Sequence, residues 1–466
     1  GTSYYNQLQP LLLSTSGELV WCEEPFRFRV DKEKILFDRS YAPLVYKKAG
    51  KSLRDAYLYA SENFFPPSGK MPPDLFFSVP QYNTWIELTY NQNQKDILEY
   101  AKAIIDTGMP PGIIMIDDNW QEDYGKWNFH QGRFPNPKAM MKELKELGFK
   151  VMLWVCPFVS ADSDIYRELE KKRLFMFDET EKPAMVRWWN GVSAVLDLTN
   201  PESEKWFKGV LNNLINEFGV DGFKLDAGDG RFYKGIKSLK EVNPNTHTEL
   251  FAKIGLSYPY NEYRATWKMG GQPLVQRLHD KSHDWEDLNK LIPHMLLEGI
   301  MGYPFSCPDM IGGGQFTSFL DDAPIDQELV VRSTQVHALM PMMQFSVAPW
   351  RILDERHFKA VLDAVNLRNE FKETILALAK KASTNGEPIV RSMEYVFPHK
   401  GYVDITDQFM LGNSILVAPY LSKGEGSRKV VLPKGAWKSD TGKVYKGGKS
   451  ITIDVPLTRL PYFIKE

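Results

Sequence analysis

The unit that most constrains this chain is a helix that stops at glycine, followed by a short apolar run ending in a carboxylate or aromatic residue. Its clearest copy starts at Asn200-Pro201, a pairing suited to an N-cap and a first helical turn. Trp206, Phe207, Val210, Leu211, Leu214, Ile215 and Phe218 recur at helical spacing and Gly219 supplies the stop. Residues 220–225 then read as a buried parallel strand that ends at Asp226. An earlier helix carrying Ile97, Leu98, Ala101, Ile104 and Ile105 stops near Gly108, and residues 113–116 run into Asp117-Asp118. Another helix opens at Pro137 and ends at Gly148, and residues 150–153 run into Trp154. A further helix is expected over residues 285–297. Repeated units of this size predict an α/β fold, a (β/α)8 TIM barrel, with a doubly wound open sheet as the alternative.

The flanks differ from this pattern. Residues 1–75 alternate short β-like runs with turns and predict a short N-terminal β region. Residues 76–383 are assigned to the barrel. Residues 384–466 return to β patterning and predict an antiparallel C-terminal β-domain. A chain of 466 residues has room for three such units.

Composition excludes several functions. A formal charge of −2 supplies no basic field for nucleic acid. No apolar run reaches the roughly 18 residues of a membrane span. Leu11-Leu12-Leu13 is too short for a signal core, which predicts a soluble protein, cytoplasmic or exported with its signal already removed. Cys22, Cys156 and Cys307 form no CxxC pair, and His279 and His283 lack the intervening glutamate of an HExxH site. No metal and no cofactor are expected. Gly312-Gly313-Gly314 lacks the spacing of a phosphate cradle. Most aromatic residues belong to cores, but an abundance such as the 12 tryptophans here is also what a sugar-stacking cleft needs.

Asp117, Asp118, Trp154 and Asp226 all stand where a strand reading stops, and in such barrels the carboxyl ends of the strands form the active face. Glycosidic cleavage needs two carboxyl groups with opposite tasks, one protonating the leaving oxygen and one attacking or shielding the anomeric carbon. Lys224 stands two residues before Asp226, so along a strand both side chains share a face and the lysine favours the ionised aspartate. The acid must come from another loop.

The run FKLDAG, containing Asp226, resembles the nucleophile segment of glycoside hydrolase family 31, whose members are retaining α-glycosidases. In QRLHDKSHDWEDL, Asp280 precedes Trp285 by the interval the family keeps between its acid/base aspartate and a helix-opening Trp. GYPFSCPDMIGGG (residues 302–314) and DQFMLGNSILVAPYL (residues 407–421) continue the likeness, which covers roughly residues 75–466. Segments 134–159, 186–197 and 340–351 are similar to a branch that includes α-galactosidase relatives. IDDNWQ also resembles the LDDGWQ-type motif of α-galactosidase families 27 and 36, in which paired carboxylates bind sugar hydroxyls.

The chain departs from the α-glucosidases of the family at Asp117-Asp118-Asn119-Trp120, at Arg277, which stands three residues before Asp280 and not four, and at Ser346, where they carry His. The resemblance implies an exo-acting retaining α-glycosidase, an α-galactosidase before an α-glucosidase, α-xylosidase, transglycosylase or sugar-binding pseudo-enzyme. Asp226 is the implied nucleophile and Asp280 the implied acid/base. Asp117, Asp118, Trp120, Trp154, Trp189, Lys224 and Arg277 are the expected substrate-binding residues. Trp188 and Trp189, adjacent on extended chain, are expected to point to opposite faces. The expected partner is an α-linked galactoside or another small oligosaccharide or glycoconjugate.

Overall fold

The computed structural model describes residues 7–32, 34–319 and 325–466. Its centre is a ring of eight parallel strands: β1 (Gln81–Asn83), β2 (Ile113–Ile116), β3 (Lys150–Val155), β4 (Gly222–Leu225), β5 (Tyr260–Tyr263), β6 (Val275–Arg277), β7 (Ser306–Cys307) and β8 (Gln344–Phe345). Strands β1 to β7 pair in chain order, and β8 pairs with β1. The ring closes between β7 and β8 through the parallel bridge of Ile311 to Phe345. This is the expected barrel, nearly closed, and the open-sheet alternative is dismissed.

The helix before β4 forms for the reasons its sequence gives. It spans Pro201–Phe218, the Asn200 side chain accepts a hydrogen bond from the amide of Glu202, and Gly219 caps it in the left-handed region at φ 72°. Phe207, Leu211 and Leu214 bury its inner face against the barrel core. Helices Gln94–Asp106 and Pro137–Glu146 repeat the arrangement before β2 and β3.

At the N-terminus, Leu11–Leu13, Glu18–Cys22 and Leu44–Lys48 form an antiparallel sheet, and Phe26–Asp31 pairs with Lys34–Ser40 as a separate hairpin. The helix Leu53–Phe64 departs from the all-β expectation for this zone. It is started by a capping box between Ser52 and Asp55 and buries Ala56, Tyr57 and Ala60 at helical spacing.

The C-terminal region forms a six-stranded antiparallel sheet faced by a two-stranded antiparallel sheet of Gly426–Leu432 and Lys449–Val455. Strand alternation divides its side chains: Met410, Leu416 and Phe463 enter a core with Val430, Trp437 and Val455, while Phe409, Leu411, Ile415 and Val417 join the barrel's core. Among the described residues, no helix is long and apolar enough to cross a membrane.

Candidate active site

The carboxyl ends of the barrel strands hold a buried network of opposite charges. On β4, Lys224 and the residue just beyond the strand, Asp226, project to the same side, as a two-residue interval on extended chain requires. The Lys224 ammonium lies 2.7 Å from Asp117 and 3.9 Å from Asp226. Trp154 Nε1 donates to Asp226 Oδ2 at 2.7 Å, and the amide of Ala227 donates to Oδ1 at 2.7 Å. Ala227 and Gly228 both take positive φ, 56° and 72°, and turn the chain away directly after the aspartate. Burial works against the charge on Asp226. Lys224, Arg264 and Arg277 outweigh it and hold the carboxyl below its ordinary range.

Asp117 and Asp118 diverge. Asp117 turns toward Lys224 and also accepts from Asn83 Nδ2 at 2.7 Å. Asp118 turns toward the loops, where Tyr124 donates to it at 3.1 Å and Asn190 at 2.5 Å. Burial first, and then the neighbouring charge of Asp117, push the Asp118 carboxyl up to about 7.

Asp280 stands beyond β6, and its side chain keeps 33% of its exposure. It borders a cleft of about 520 Å³ together with Asp229, Arg231, Arg264, Trp267 and Gln315. Arg277 reaches one carboxylate oxygen at 2.8 Å and Arg264 the other at 3.3 Å. Burial opposes the charge, but the two arginines hold the carboxyl well below its ordinary range. The arrangement favours the base form of Asp280. An acid role requires at least one arginine contact to weaken when substrate binds.

Arg264, one residue past β5, joins these parts and was not anticipated. Its Nε lies 3.2 Å from Asp229 and 3.7 Å from Asp226, its Nη1 reaches Asp280, and its guanidinium lies 4.8 Å from the ring centroid of Trp189. Arg277 was anticipated, but its buried surroundings were not: Glu262 lies at 3.3 Å and Asp309 at 2.6 Å. Gln344 on β8 donates to Glu262 at 2.7 Å.

The tryptophans divide by burial. Trp188 is buried against Tyr124, Trp154 and Phe158, while Trp189 lies in the turn just after the strand Met185–Trp188 and is 44% exposed. Its ring centroid is 5.1 Å from that of Trp188, so the adjacent pair does not face opposite ways as expected of extended chain. Trp120 and Trp154 correct the expectation of open stacking faces, since both are fully buried. Trp120 is covered by Trp127 and Phe129 and donates to the carbonyl of Trp154 at 2.8 Å, and Trp154 meets the site through its ring N–H.

Comparison with known proteins gives the same outline. Residues 69–373 match the model of the glycosyl hydrolases family 31 TIM-barrel domain, and residues 386–466 match that of the glycosyl hydrolase family 31 C-terminal domain. The myogenesis-regulating glycosidase of Mus musculus is 33% identical over 89% of this chain and 60% of its own length. Alpha-glucosidase 2 of Bacillus thermoamyloliquefaciens is 25% identical over 93% of this chain and 60% of its own. The chain therefore spans about 60% of the length of these relatives. The solved structure of the Flavobacterium johnsoniae dextranase complexed with glucose superposes with a TM-score of 0.85 at 22% identity, covering 98% of this chain and 60% of that one, a likeness of fold. With both of its larger regions matched in order, and the barrel match alone covering more than half its length, the chain belongs to glycoside hydrolase family 31.

Proposed function

We propose that the protein is a retaining, exo-acting α-glycoside hydrolase, with Asp226 as nucleophile and Asp280 as acid/base. The observation that carries this reading is the bridged pair itself. Asp226 is kept ionised at the end of β4 by Lys224 and Arg264, and Arg264 also contacts Asp280 on the neighbouring cleft. In the first step the Asp226 carboxylate attacks the anomeric carbon as the bond to the leaving oxygen breaks, and Asp280 gives that oxygen a proton. In the second, Asp280 takes a proton from water as the water oxygen displaces Asp226. Trp154 and the Ala227 amide orient the nucleophile by occupying one lone pair on each oxygen.

For the sugar, we propose an α-galactoside. Support comes from the Asp117-Asp118 doublet after β2, which brings two buried carboxyl groups to the strand ends, Asp117 beside Lys224 and Asp118 beside Tyr124 and Asn190. Acceptors fixed at such a place favour the epimer whose hydroxyls pair with them, because the other leaves a buried acceptor unsatisfied. The likeness to an α-glucosidase supports α-glucosides as the second reading.

One experiment addresses both levels. Nitrophenyl α-galactoside, α-glucoside, α-xyloside and α-N-acetylgalactosaminide are compared by kcat/KM, and the preferred one is then offered to Asp226→Ala with and without azide. The galactoside should lead, the variant should be inactive, and azide should restore turnover as a glycosyl azide of inverted configuration. A lead for the glucoside overturns the sugar and leaves the mechanism standing. Near-normal turnover by unrescued Asp226→Ala overturns the mechanism.

A further inference from the structure

We propose that Asp309, Gly313 and Gly314, in the loop after β7, act as a clamp that positions Asp280 for proton transfer; this rests on the acid/base reading of Asp280 given above. The need for a clamp follows from where Asp280 sits. Residues 278–282 have no regular secondary structure, and Leu278, whose amide donates to the carbonyl of Cys307 at 3.0 Å, continues the β6–β7 pairing just beyond the strands. A turn of this kind keeps a carboxyl in one place only if neighbouring groups hold it.

The loop after β7 does so on both sides of Asp280. One oxygen of Asp309 accepts from Arg277 Nη1 at 2.6 Å, the same nitrogen that reaches Asp280 at 2.8 Å. The other oxygen accepts from the backbone amide of Lys281 at 2.8 Å. The carbonyl of Lys281 in turn accepts from the amide of Gly314 at 3.1 Å. The peptide groups following Asp280 and the guanidinium before it are therefore tied to one loop. Asp309 is 1% exposed, so its bonds face little competition from water.

The glycines explain why the loop comes so close. A Cβ on Gly313 would fall 2.2 Å from the carbonyl oxygen of Lys281, and one on Gly314 would fall 2.6 Å from Cγ and Oδ1 of Asp280 itself. The Gly314 backbone is thus a wall of the Asp280 carboxyl's position. The loop is fixed in its turn to β8: the amide of Ile311 donates to the carbonyl of Gln344 at 2.7 Å, and Ser346 Oγ donates to that of Gly313 at 2.7 Å. Asp309 also adopts a φ of 73°, a conformation that a non-glycine residue takes when its surroundings impose it.

A clamp predicts a loss that depends on the leaving group, and a merely structural role does not. Phenyl and dinitrophenyl α-galactosides, or the α-glucosides if wild type prefers them, are compared in Asp280→Asn, Asp309→Asn and Gly314→Ala. Folding of each variant is checked by near-ultraviolet circular dichroism. Both clamp variants should lose about 10- to 100-fold in kcat/KM on the phenyl substrate, which needs protonation, and less than about threefold on the dinitrophenyl one. Added to Asp280→Asn, Asp309→Asn should change neither rate further, because residues acting through one group are not additive. Gly314→Ala leaves the Arg277 and Asp309 side chains in place and decides the matter if Asp309→Asn does not fold. Equal losses on the two substrates, or a full further loss in the double variant, overturn the clamp. If Asp280→Asn itself fails to discriminate, the acid/base reading falls and the clamp with it. If it discriminates and the clamp variants do not, the clamp alone falls.

Discussion

Asp118 carries a buried carboxyl whose surroundings disfavour its charge. It accepts hydrogen bonds from Tyr124, Asn190 and the amide of Asn119, yet burial and the neighbouring Asp117 raise its pKa to about 7. In the unfolded chain an aspartate titrates near about 3.9. Between those values the folded protein keeps a proton that the unfolded chain has released, so Asp118 reduces stability progressively as pH rises through that window, and by a constant amount above it. Asp118→Asn should therefore gain midpoint temperature relative to wild type at about pH 8 and lose that gain near about pH 4. Thermal melts of both proteins across the range check it, and a pH-independent difference would contradict the assignment. Asp226 has the opposite sign: its lowered pKa favours the folded state above the ordinary carboxylate range, and that contribution is lost as pH falls through the folded value. The Lys224–Asp226 pair was legible because two charges at an interval of two, ending an apolar run, stand out. Arg264 was not, since the preceding Tyr-Asn-Glu-Tyr does not read as a buried strand. The signal was present as Glu262-x-Arg264, the same alternation of opposite charges one strand further on.

At the scale of elements, legibility followed length and apolarity. The helix Pro201–Phe218 could be read to the residue at both ends because its caps are chemical statements: an Asn side chain for the first free amides and a glycine for the left-handed exit. Replacing that cap gives a direct check. Asn200→Ala should destabilise the protein by about 1 kcal/mol, and Asn200→Asp should keep most of that, since its carboxylate can still accept from the amide of Glu202. Denaturant unfolding of the two variants measures it, and equal losses would show that the cap bond is not the cause. Strands β6, β7 and β8 escaped for the complementary reason. They are three, two and two residues long, and they carry Gln276, Arg277 and Gln344 as buried polar groups where a strand signal expects valine or isoleucine. A barrel that uses its interior for charge networks conceals its own strands from hydrophobic patterning.

The molecule as a whole is tied together across what its sequence divides. Arg332, on helix Gln327–Ala338 of the barrel, is fully buried and donates to the carbonyls of Pro456 at 3.3 Å and Val455 at 3.4 Å, both in the C-terminal region. Gln335, one turn along the helix, donates to the carbonyl of Leu457 at 2.7 Å, and the Arg332 guanidinium lies 4.9 Å from the ring centroid of Tyr420. These polar ties border a shared apolar core, since Phe409, Leu411, Ile415 and Val417 of the C-terminal sheet pack with barrel residues. Neither region can unfold without exposing part of the other's core, so heat should melt the two in one transition. Arg332→Ala leaves the carbonyls of Val455 and Pro456 without this donor and Glu328 without its ion-pair partner at 3.7 Å. The loss should be about 3 kcal/mol, the range for breaking a buried charged contact. Because the core couples the regions, the variant should still show a single calorimetric transition, displaced to lower temperature. Two separate transitions, with the barrel's midpoint unmoved, would mean that the apolar contact alone does not make the regions cooperative, and the C-terminal region would then have to be treated as an independently folding unit.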